Sequence, residues 1–127
     1  MRAQPNASTA EERLQQGLRD LRVYDIPQAL RRWFADSPLA NDDKGLALVQ
    51  AELEKTLASY GKIEDAEVLA DREIGAHTRR FYFTLLCERG PIYCSADAYS
   101  SKRGWLLTDF QFHTKAGKVL PESMLEP

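Results

Sequence analysis

The chain has 127 residues, of which 43% are hydrophobic and 28% charged, and its formal net charge at pH 7 is −2. This length suits one domain with one core, and the composition is typical of a folded globular protein. Because the balance is acidic and the doublets Arg31-Arg32 and Arg79-Arg80 have acidic neighbours, we expect no nucleic-acid partner.

The sequence also argues against a membrane partner. No stretch approaches the roughly 18 apolar residues of a membrane span, and residues 1–8 lack the apolar core of a signal peptide. If Met1 is the natural start, we expect a cytoplasmic protein. If a signal peptide was trimmed, the protein is secreted or periplasmic.

Three helices are predicted in the first sixty residues. Ser8 and Thr9 each precede a glutamate by three residues, the spacing of a capping box, so residues 1–7 are expected to form a disordered lead. Asp25 and Asn41-Asp42-Asp43 supply the next two caps, and Gly61 ends the third helix. The residues predicted to face the core recur at helical spacing: Leu14, Leu18, Leu21; Ala29, Leu30, Trp33, Phe34; Leu46, Val49, Leu53, Leu57 and Tyr60.

Four extended segments follow between Ala66 and Thr114, which predicts an antiparallel meander. We place the first of its two sequence-marked turns at Gly90-Pro91 and the second at residues 100–104. The residue pairs that these turns predict are Cys87 with Cys94, Phe83 with Ala98, Tyr99 with Trp105, and Ser95 with Asp109. The tail, residues 115–127, is expected to fray.

Because side chains alternate along a strand, this register assigns each residue to one face of the sheet. The face expected to lie under the helices is almost wholly apolar: Phe81, Phe83, Leu85, Cys87, Ile92, Cys94, Ala96, Ala98, Leu106, Thr108, Phe110 and Phe112. The opposite face mixes aromatic and polar residues, as protein interfaces do. It predicts a homodimer, with these dimer-face candidates: Tyr82, Tyr93, Asp97, Tyr99, Trp105, Leu107, Asp109 and Gln111. The alternative is an outer sheet face with bulky residues and no partner.

The order of elements resembles a known superfamily. Three helices lead into a meander that ends in Gly104-Trp105-Leu106-Leu107-Thr108-Asp109-Phe110-Gln111-Phe112, and Tyr60-Gly61-Lys62 follows the long helix. This pattern resembles the nuclear transport factor 2-like superfamily of cone-shaped, cystatin-like α+β folds, and most closely its small uncharacterised bacterial members. The resemblance implies one domain over residues 8–114, with three helices packed on a curved four-stranded antiparallel sheet.

That superfamily includes ketosteroid isomerase, SnoaL-like cyclases, dehydratases, binding proteins and association domains, so the resemblance implies a shape and little about chemistry. Its members often dimerise through the sheet face turned away from the helices. Where they have a pocket, it lies inside the cone.

An isomerase of this type needs a base and an acidic donor inside the cone, and the predicted interior strand positions supply neither. Only Tyr24, Asp25 and Tyr60 bring polar atoms from the helices, and we expect no catalytic residue. His77 and His113 have no metal ligand at suitable spacing, so we expect no metal and no cofactor.

Cys87 and Cys94 are expected to face each other, either as a cross-strand disulfide or as two free, buried thiols. Ala96 and Ala98 lie among phenylalanines, where small side chains either let a helix approach or leave a void for a hydrophobic small molecule. The ligand-pocket candidates are Tyr24, Trp33, Tyr60, Phe81, Phe83, Ala96, Ala98, Phe110 and Phe112.

The sequence therefore predicts a small-molecule-binding or protein-association module without enzymatic activity. The alternative is a small cone-fold lyase or isomerase acting on a hydrophobic molecule.

Overall fold

A computed structural model describes residues 9–125, so the predicted lead at residues 1–7 lies outside the described part of the chain. Three α-helices come first: α1 (Ala10–Val23), α2 (Ile26–Trp33) and α3 (Asp43–Tyr60). Four strands follow: β1 (Ile63–Ile74), β2 (Thr78–Cys87), β3 (Gly90–Ser101) and β4 (Gly104–His113). Each strand pairs antiparallel with the next, in the order β1-β2-β3-β4. The predicted α+β architecture is confirmed.

The helices begin at the predicted caps. Thr9 and Glu12 form a capping box, in which each side chain accepts a hydrogen bond from the other residue's backbone N–H, both at 3.1 Å. The Asp25 carboxylate accepts from the Gln28 N–H at 2.9 Å, and Asp42 starts α3 in the same way. At the other end of α3, Gly61 takes a left-handed φ of +84°, which favours glycine.

α1 and α2 bury their predicted stripes against one face of the sheet in a single apolar cluster. α3 is more peripheral than predicted. Of its five stripe residues, only Leu53 is buried, whereas Leu46, Val49, Leu57 and Tyr60 are half-buried and pack against the cluster's margin. This outcome follows from position, because α3 packs mainly on α2 and on the 3₁₀ turn Pro38–Asn41 rather than on the sheet.

The predicted register of the β2–β3 hairpin was wrong. The turn is Glu88-Arg89, so Cys87 pairs with Gly90 and Phe83 pairs with Cys94. The end of α3 holds this turn, because the Arg89 N–H donates to the Tyr60 carbonyl at 2.8 Å and the Glu88 N–H donates to the Lys62 carbonyl at 3.1 Å. The observed partner of each residue lies an even number of positions along the strand from the partner that was predicted. The two faces of β2 and β3 are therefore as predicted.

The predicted register of β4 was wrong in both halves. In the second half the shift is two residues, so Ser95 pairs with Gln111 rather than with Asp109 and the faces are kept; in the first half the shift is one residue. Tyr99 pairs with Leu106, Asp97 pairs with Asp109, and Thr108 is the extra residue of a β-bulge between them. Because a bulge shifts alternation by one residue, Leu107 lies on the helix side and is fully buried in the core cluster. Trp105 also packs against that cluster, and Leu106 takes the outer position.

The tail after β4 is described as far as residue 125, and the expectation that residues 115–127 fray stays a prediction. Short 3₁₀ turns form at Ala116–Lys118 and Glu122–Met124. Leu120 between them is buried, which gives the segment an apolar anchor. No helix within residues 9–125 is both long and apolar enough to span a bilayer.

Candidate functional site

The interior between helices and sheet is filled by aromatic side chains. The Trp33 ring centroid lies 5.1 Å from that of Phe110 and 6.2 Å from that of Phe83, and Phe110 also contacts Phe112 at 5.2 Å. Phe81, Phe83 and Ala98 have no exposed surface at all, so no void large enough for a water molecule borders them. The structure thus brings these pocket candidates together as a packed core.

Ala96 shows why the small residues are there. It pairs with Phe81 on β2 and with Phe110 on β4, both on the core side of the sheet. Ala96 is itself buried, and the Trp33 indole from α2 packs against the neighbouring Phe110 ring, with ring centroids 5.1 Å apart. Of the two roles considered for the alanines, close packing agrees with this arrangement.

The polar pocket candidates do not converge on the interior. Tyr24 caps α1, is more than a third exposed, and has the Arg32 guanidinium over its ring at 4.6 Å. Tyr60 packs over the β2–β3 hairpin, where its ring lies against Gly90. Asp25 caps α2. The groups that an interior acid–base reaction would require are therefore placed apart.

The sheet surface turned away from the helices, called the outer face below, is the other candidate site. Six of the eight dimer-face candidates lie on it, whereas Trp105 and Leu107 were placed there wrongly because the Thr108 bulge was not foreseen. Its residues follow from the observed registers: Asp65, Glu67, Ala70, Arg72, Ile74, Thr78, Arg80, Tyr82, Thr84, Leu86, Tyr93, Ser95, Asp97, Tyr99, Leu106, Asp109, Gln111 and His113. Near its centre Tyr82, Thr84 and Ser95 are buried among longer neighbours, while Tyr99 and Leu86 are exposed.

A row of four charged residues crosses the outer face from edge to edge. Arg72 pairs in register with Arg80, Arg80 with Asp97, and Asp97 with Asp109. The row therefore reads positive, positive, negative, negative across β1, β2, β3 and β4. The sequence alone did not indicate it, because it depends on the register of β1.

The two inner members of this row neutralise each other. The Arg80 Nε donates to Asp97 Oδ1 at 2.7 Å and its Nη2 donates to Oδ2 at 3.0 Å, a bidentate pair. This bond to Asp97, together with one to Tyr82, raises the pKa of Arg80, so the guanidinium stays charged.

The two outer members have no ion-pair partner among the described side chains. The Arg72 guanidinium lies 5.7 Å from the Tyr82 ring centroid, a cation–π contact. Asp109 accepts a hydrogen bond from the Gln111 side-chain amide at 3.2 Å. One uncompensated cation and one uncompensated anion thus stand at opposite ends of the row.

The cysteines are free thiols, which answers the question left open by the sequence, and they do not face each other. Burial raises the pKa of Cys87, and it raises that of the fully buried Cys94 well above its usual range. Neither thiol is therefore a ready nucleophile at neutral pH.

His77 and His113 are both exposed, and the Nδ1 of His113 accepts a hydrogen bond from the Lys115 N–H. Between Thr9 and Leu125, no cluster of three metal-ligating side chains occurs.

Comparison with known proteins supports the fold. No family model matches the chain, and no curated protein matches it by sequence. The solved structure of a Campylobacter jejuni protein, provisionally named an NTF2-like transpeptidase, is similar with a TM-score of 0.57 at 15% identity. The similarity covers 80% of this chain and 99% of that one. A DUF4783 family protein from Bacteroides ovatus is more distant, with a TM-score of 0.44 at 8% identity over 55% of this chain and 62% of the other.

The similarity to the Campylobacter jejuni structure shows that this chain has the nuclear transport factor 2-like fold that the sequence resembles. At 15% identity it shows the fold alone.

Proposed function

We propose that this protein is an association module whose outer face joins two copies of the chain in a twofold dimer. The observation that carries the proposal is the order of charges in the row Arg72, Arg80, Asp97, Asp109. Opposite charges at its two ends make the row antisymmetric. An antisymmetric row is complementary to a reversed copy of itself.

Twofold symmetry supplies that reversal. Consider a twofold axis that runs parallel to the strands and lies just above the outer face, over the line between β2 and β3. Rotation about this axis stacks two sheets with their outer faces together and their charged rows in opposite directions. Arg72 of each copy then meets Asp109 of the other, and each Arg80–Asp97 pair meets its counterpart with the charges exchanged. Arg72 and Asp109, which have no ion pair within residues 9–125, are the groups that the second copy completes.

The rest of the outer face supports an interface. Tyr99, 45% exposed, and Leu86 offer apolar surface on either side of the charged row. Tyrosine combines a large rigid ring with a polar end, a property favoured at interfaces between proteins. Complementary charges fix the relative orientation of two sheets more than they add raw affinity, so the rings are expected to supply most of the binding energy.

The catalytic alternatives have less support. A lyase or isomerase of this fold would need polar groups in the interior, which is packed with aromatic rings instead. Transpeptidation, suggested by the name of the Campylobacter jejuni protein, proceeds in general through an activated hydroxyl or thiol nucleophile. Both thiols of this chain are buried and have raised pKa values.

The test is a charge exchange across the proposed axis. Asp109→Arg places two cations opposite each other at both ends of the row, so the dimer dissociation constant should rise at least about tenfold, from a repulsion of roughly 1 kcal/mol at each end. Combining Arg72→Asp with Asp109→Arg restores opposite charges at both ends and should return the constant towards that of the unchanged chain. Sedimentation equilibrium at several salt concentrations measures all three.

Lys55→Asp, on the exposed side of α3, is the matched control and should leave the dissociation constant unchanged. A chain that sediments as a monomer at every concentration contradicts the proposal. So does a double variant that associates no better than Asp109→Arg alone.

A further inference from the structure

Arg13 is a buried cation in the middle of α1. Its side chain is 2% exposed, and no carboxylate in the described part of the chain lies within ion-pair distance of it. The Nη2 donates to the carbonyls of Trp33 at 2.8 Å and Arg32 at 3.2 Å, at the end of α2. Desolvation lowers the pKa of Arg13, opposed at longer range by Asp36 and Asp20. A buried charge of this kind usually has a counter-charge.

Arg13 borders a recess of about 270 Å³ between α1 and α2. The recess is also lined by Gly17, Arg19, Asp20, Arg32 and Trp33. Three arginines against one aspartate give its lining a formal charge of +2, in a chain whose total is −2. The volume is several times that of one water molecule in the liquid, roughly 30 Å³. It suits a small polar ligand.

Two buried donors of residues that line this recess have no hydrogen-bond partner between Thr9 and Leu125. They are the Nε of Arg13 and the indole Nε1 of Trp33. Buried N–H groups are nearly always hydrogen-bonded, and each unsatisfied one costs free energy. Both donors belong to residues that line the same recess, but the two nitrogen atoms lie buried beneath its surface, so an acceptor bound there must displace part of the lining to reach them.

Arg32 is held in place at the recess by two contacts. Its Nε donates to the Asp20 carboxylate at 3.1 Å, and its guanidinium lies over the Tyr24 ring. A positively charged side chain that is already fixed loses little conformational entropy when an anion binds. Arg19, by contrast, is exposed and adds charge at the mouth.

We infer that the recess between α1 and α2 binds a small oxyanion, a phosphate or carboxylate group, with Arg13 and Trp33 as the deep donors and Arg19 and Arg32 at the opening. The contacts of Arg13 Nη2 with α2 by themselves make Arg13 a helix cap. These contacts do not explain why the Arg13 Nε and the Trp33 indole N–H have no partner among the described residues. They also do not explain why Arg19 and Arg32 lie beside Arg13.

The test follows the Trp33 indole N–H by ¹⁵N–¹H NMR while inorganic phosphate is added to the full chain, with sodium chloride keeping the ionic strength constant. The chain has two tryptophans, so a Trp105→Phe variant assigns the signal. We expect a saturable shift with phosphate. A second titration with acetate asks whether a carboxylate binds as well, and the lower dissociation constant identifies the preferred class.

Arg19→Gln removes a recess arginine from an exposed position, so the chain should still fold, and phosphate should bind about two- to fivefold more weakly, the usual contribution of an exposed charge pair. Arg31→Gln is the matched control, because Arg31 is exposed and adjacent to Arg32 but does not line the recess. Shifts that grow linearly with both anions overturn the inference. Equal weakening by Arg19→Gln and Arg31→Gln overturns it as well, since it would indicate general surface charge.

Discussion

Gly17 on α1 lies directly against the indole of Trp33 on α2. A Cβ atom placed on Gly17 would overlap the Nε1, Cε2 and Cδ1 atoms of that ring. The Trp33 ring also contacts the rings of Phe83 and Phe110, which restrict its movement away from α1. The close approach of the two helices therefore depends on a position without a side chain.

Gly17→Ala should destabilise the fold by about 1–3 kcal/mol, the usual cost of overpacking. The sign of this change in unfolding free energy is informative, because alanine in a helix interior ordinarily stabilises by about 1 kcal/mol relative to glycine. Urea unfolding followed by circular dichroism measures the change. Gly117→Ala is the control: its Cβ would lie 3.8 Å from Leu125 Cδ1, an ordinary contact, and the effect should stay within about 0.5 kcal/mol.

Tyr99 and Trp105 are expected to respond differently to aspartate. Tyr99 is exposed on the outer face, so Tyr99→Asp should weaken the proposed dimer while the domain keeps its stability. Trp105 packs against the core, so Trp105→Asp should lower the free energy of unfolding by about 2 kcal/mol or more. Sedimentation and thermal unfolding of both variants separate the two effects. A Trp105→Asp variant that dissociates without losing stability would argue against the observed β4 register.

Ala96→Leu should also cost about 1–3 kcal/mol in unfolding free energy, because the larger side chain must displace the rings of Phe81 and Phe110 on both neighbouring strands. Ala58→Leu, on the exposed surface of α3, controls for the added hydrophobic volume and should change stability little. If Ala96→Leu were neutral or stabilising, the interior would have to contain spare volume. That result would revive the hypothesis of a hydrophobic ligand.

Cys94 should give the fold a pH dependence in alkaline solution. Burial raises the pKa of the Cys94 thiol above its unfolded value of about 8.5, so the folded state binds the proton more tightly. The stabilising effect is complete below the unfolded pKa and is lost as the pH rises towards the folded one, with a slope of up to about 1.4 kcal/mol per pH unit. Urea titrations between pH 7 and 10 measure the slope.

Cys94→Ala is the control for that titration, because the difference between the two proteins isolates the thiol from other groups that ionise at high pH. The native thiol should also resist iodoacetamide at pH 8, under conditions in which the urea-unfolded chain reacts. Rapid alkylation of Cys94 in the native protein would contradict the burial on which this prediction rests.

Local signals in the sequence were enough to predict the order of elements. The caps at Thr9, Asp25 and Asp42 and the stop at Gly61 depend on residues within a few positions of each other, and all four are observed. The apolar face of β2 and β3 was also predicted correctly despite a wrong hairpin register. The face on which a side chain lies depends only on whether the error in register is an odd or an even number of residues.

The candidate sites were harder to predict, because they depend on relationships between distant segments. The charged row needs the register of β1 against β2, and the turn that sets it, at Gly75, was not used in the sequence prediction, so Arg72 was missed. Arg13 gave one usable signal: it precedes Leu14 on the buried side of α1, four residues before Gly17. A charged residue on an otherwise apolar helix stripe predicts a buried polar contact, but the partner comes from α2 through tertiary packing.

The β-bulge at Thr108 allows two halves of β4 with opposite alternation of apolar residues to face the helices together. Before the bulge Trp105 and Leu107 face the helices, and after it Phe110 and Phe112 do. An unbroken strand would present odd-numbered or even-numbered residues to the helices, but not both sets. Regular pairing of the present sequence would therefore bury one of these pairs and leave the other in water, whereas deleting Thr108 would bring all four side chains onto the same face of the strand. The bulge at one residue thus allows both halves of β4 to place their large apolar side chains in the same core.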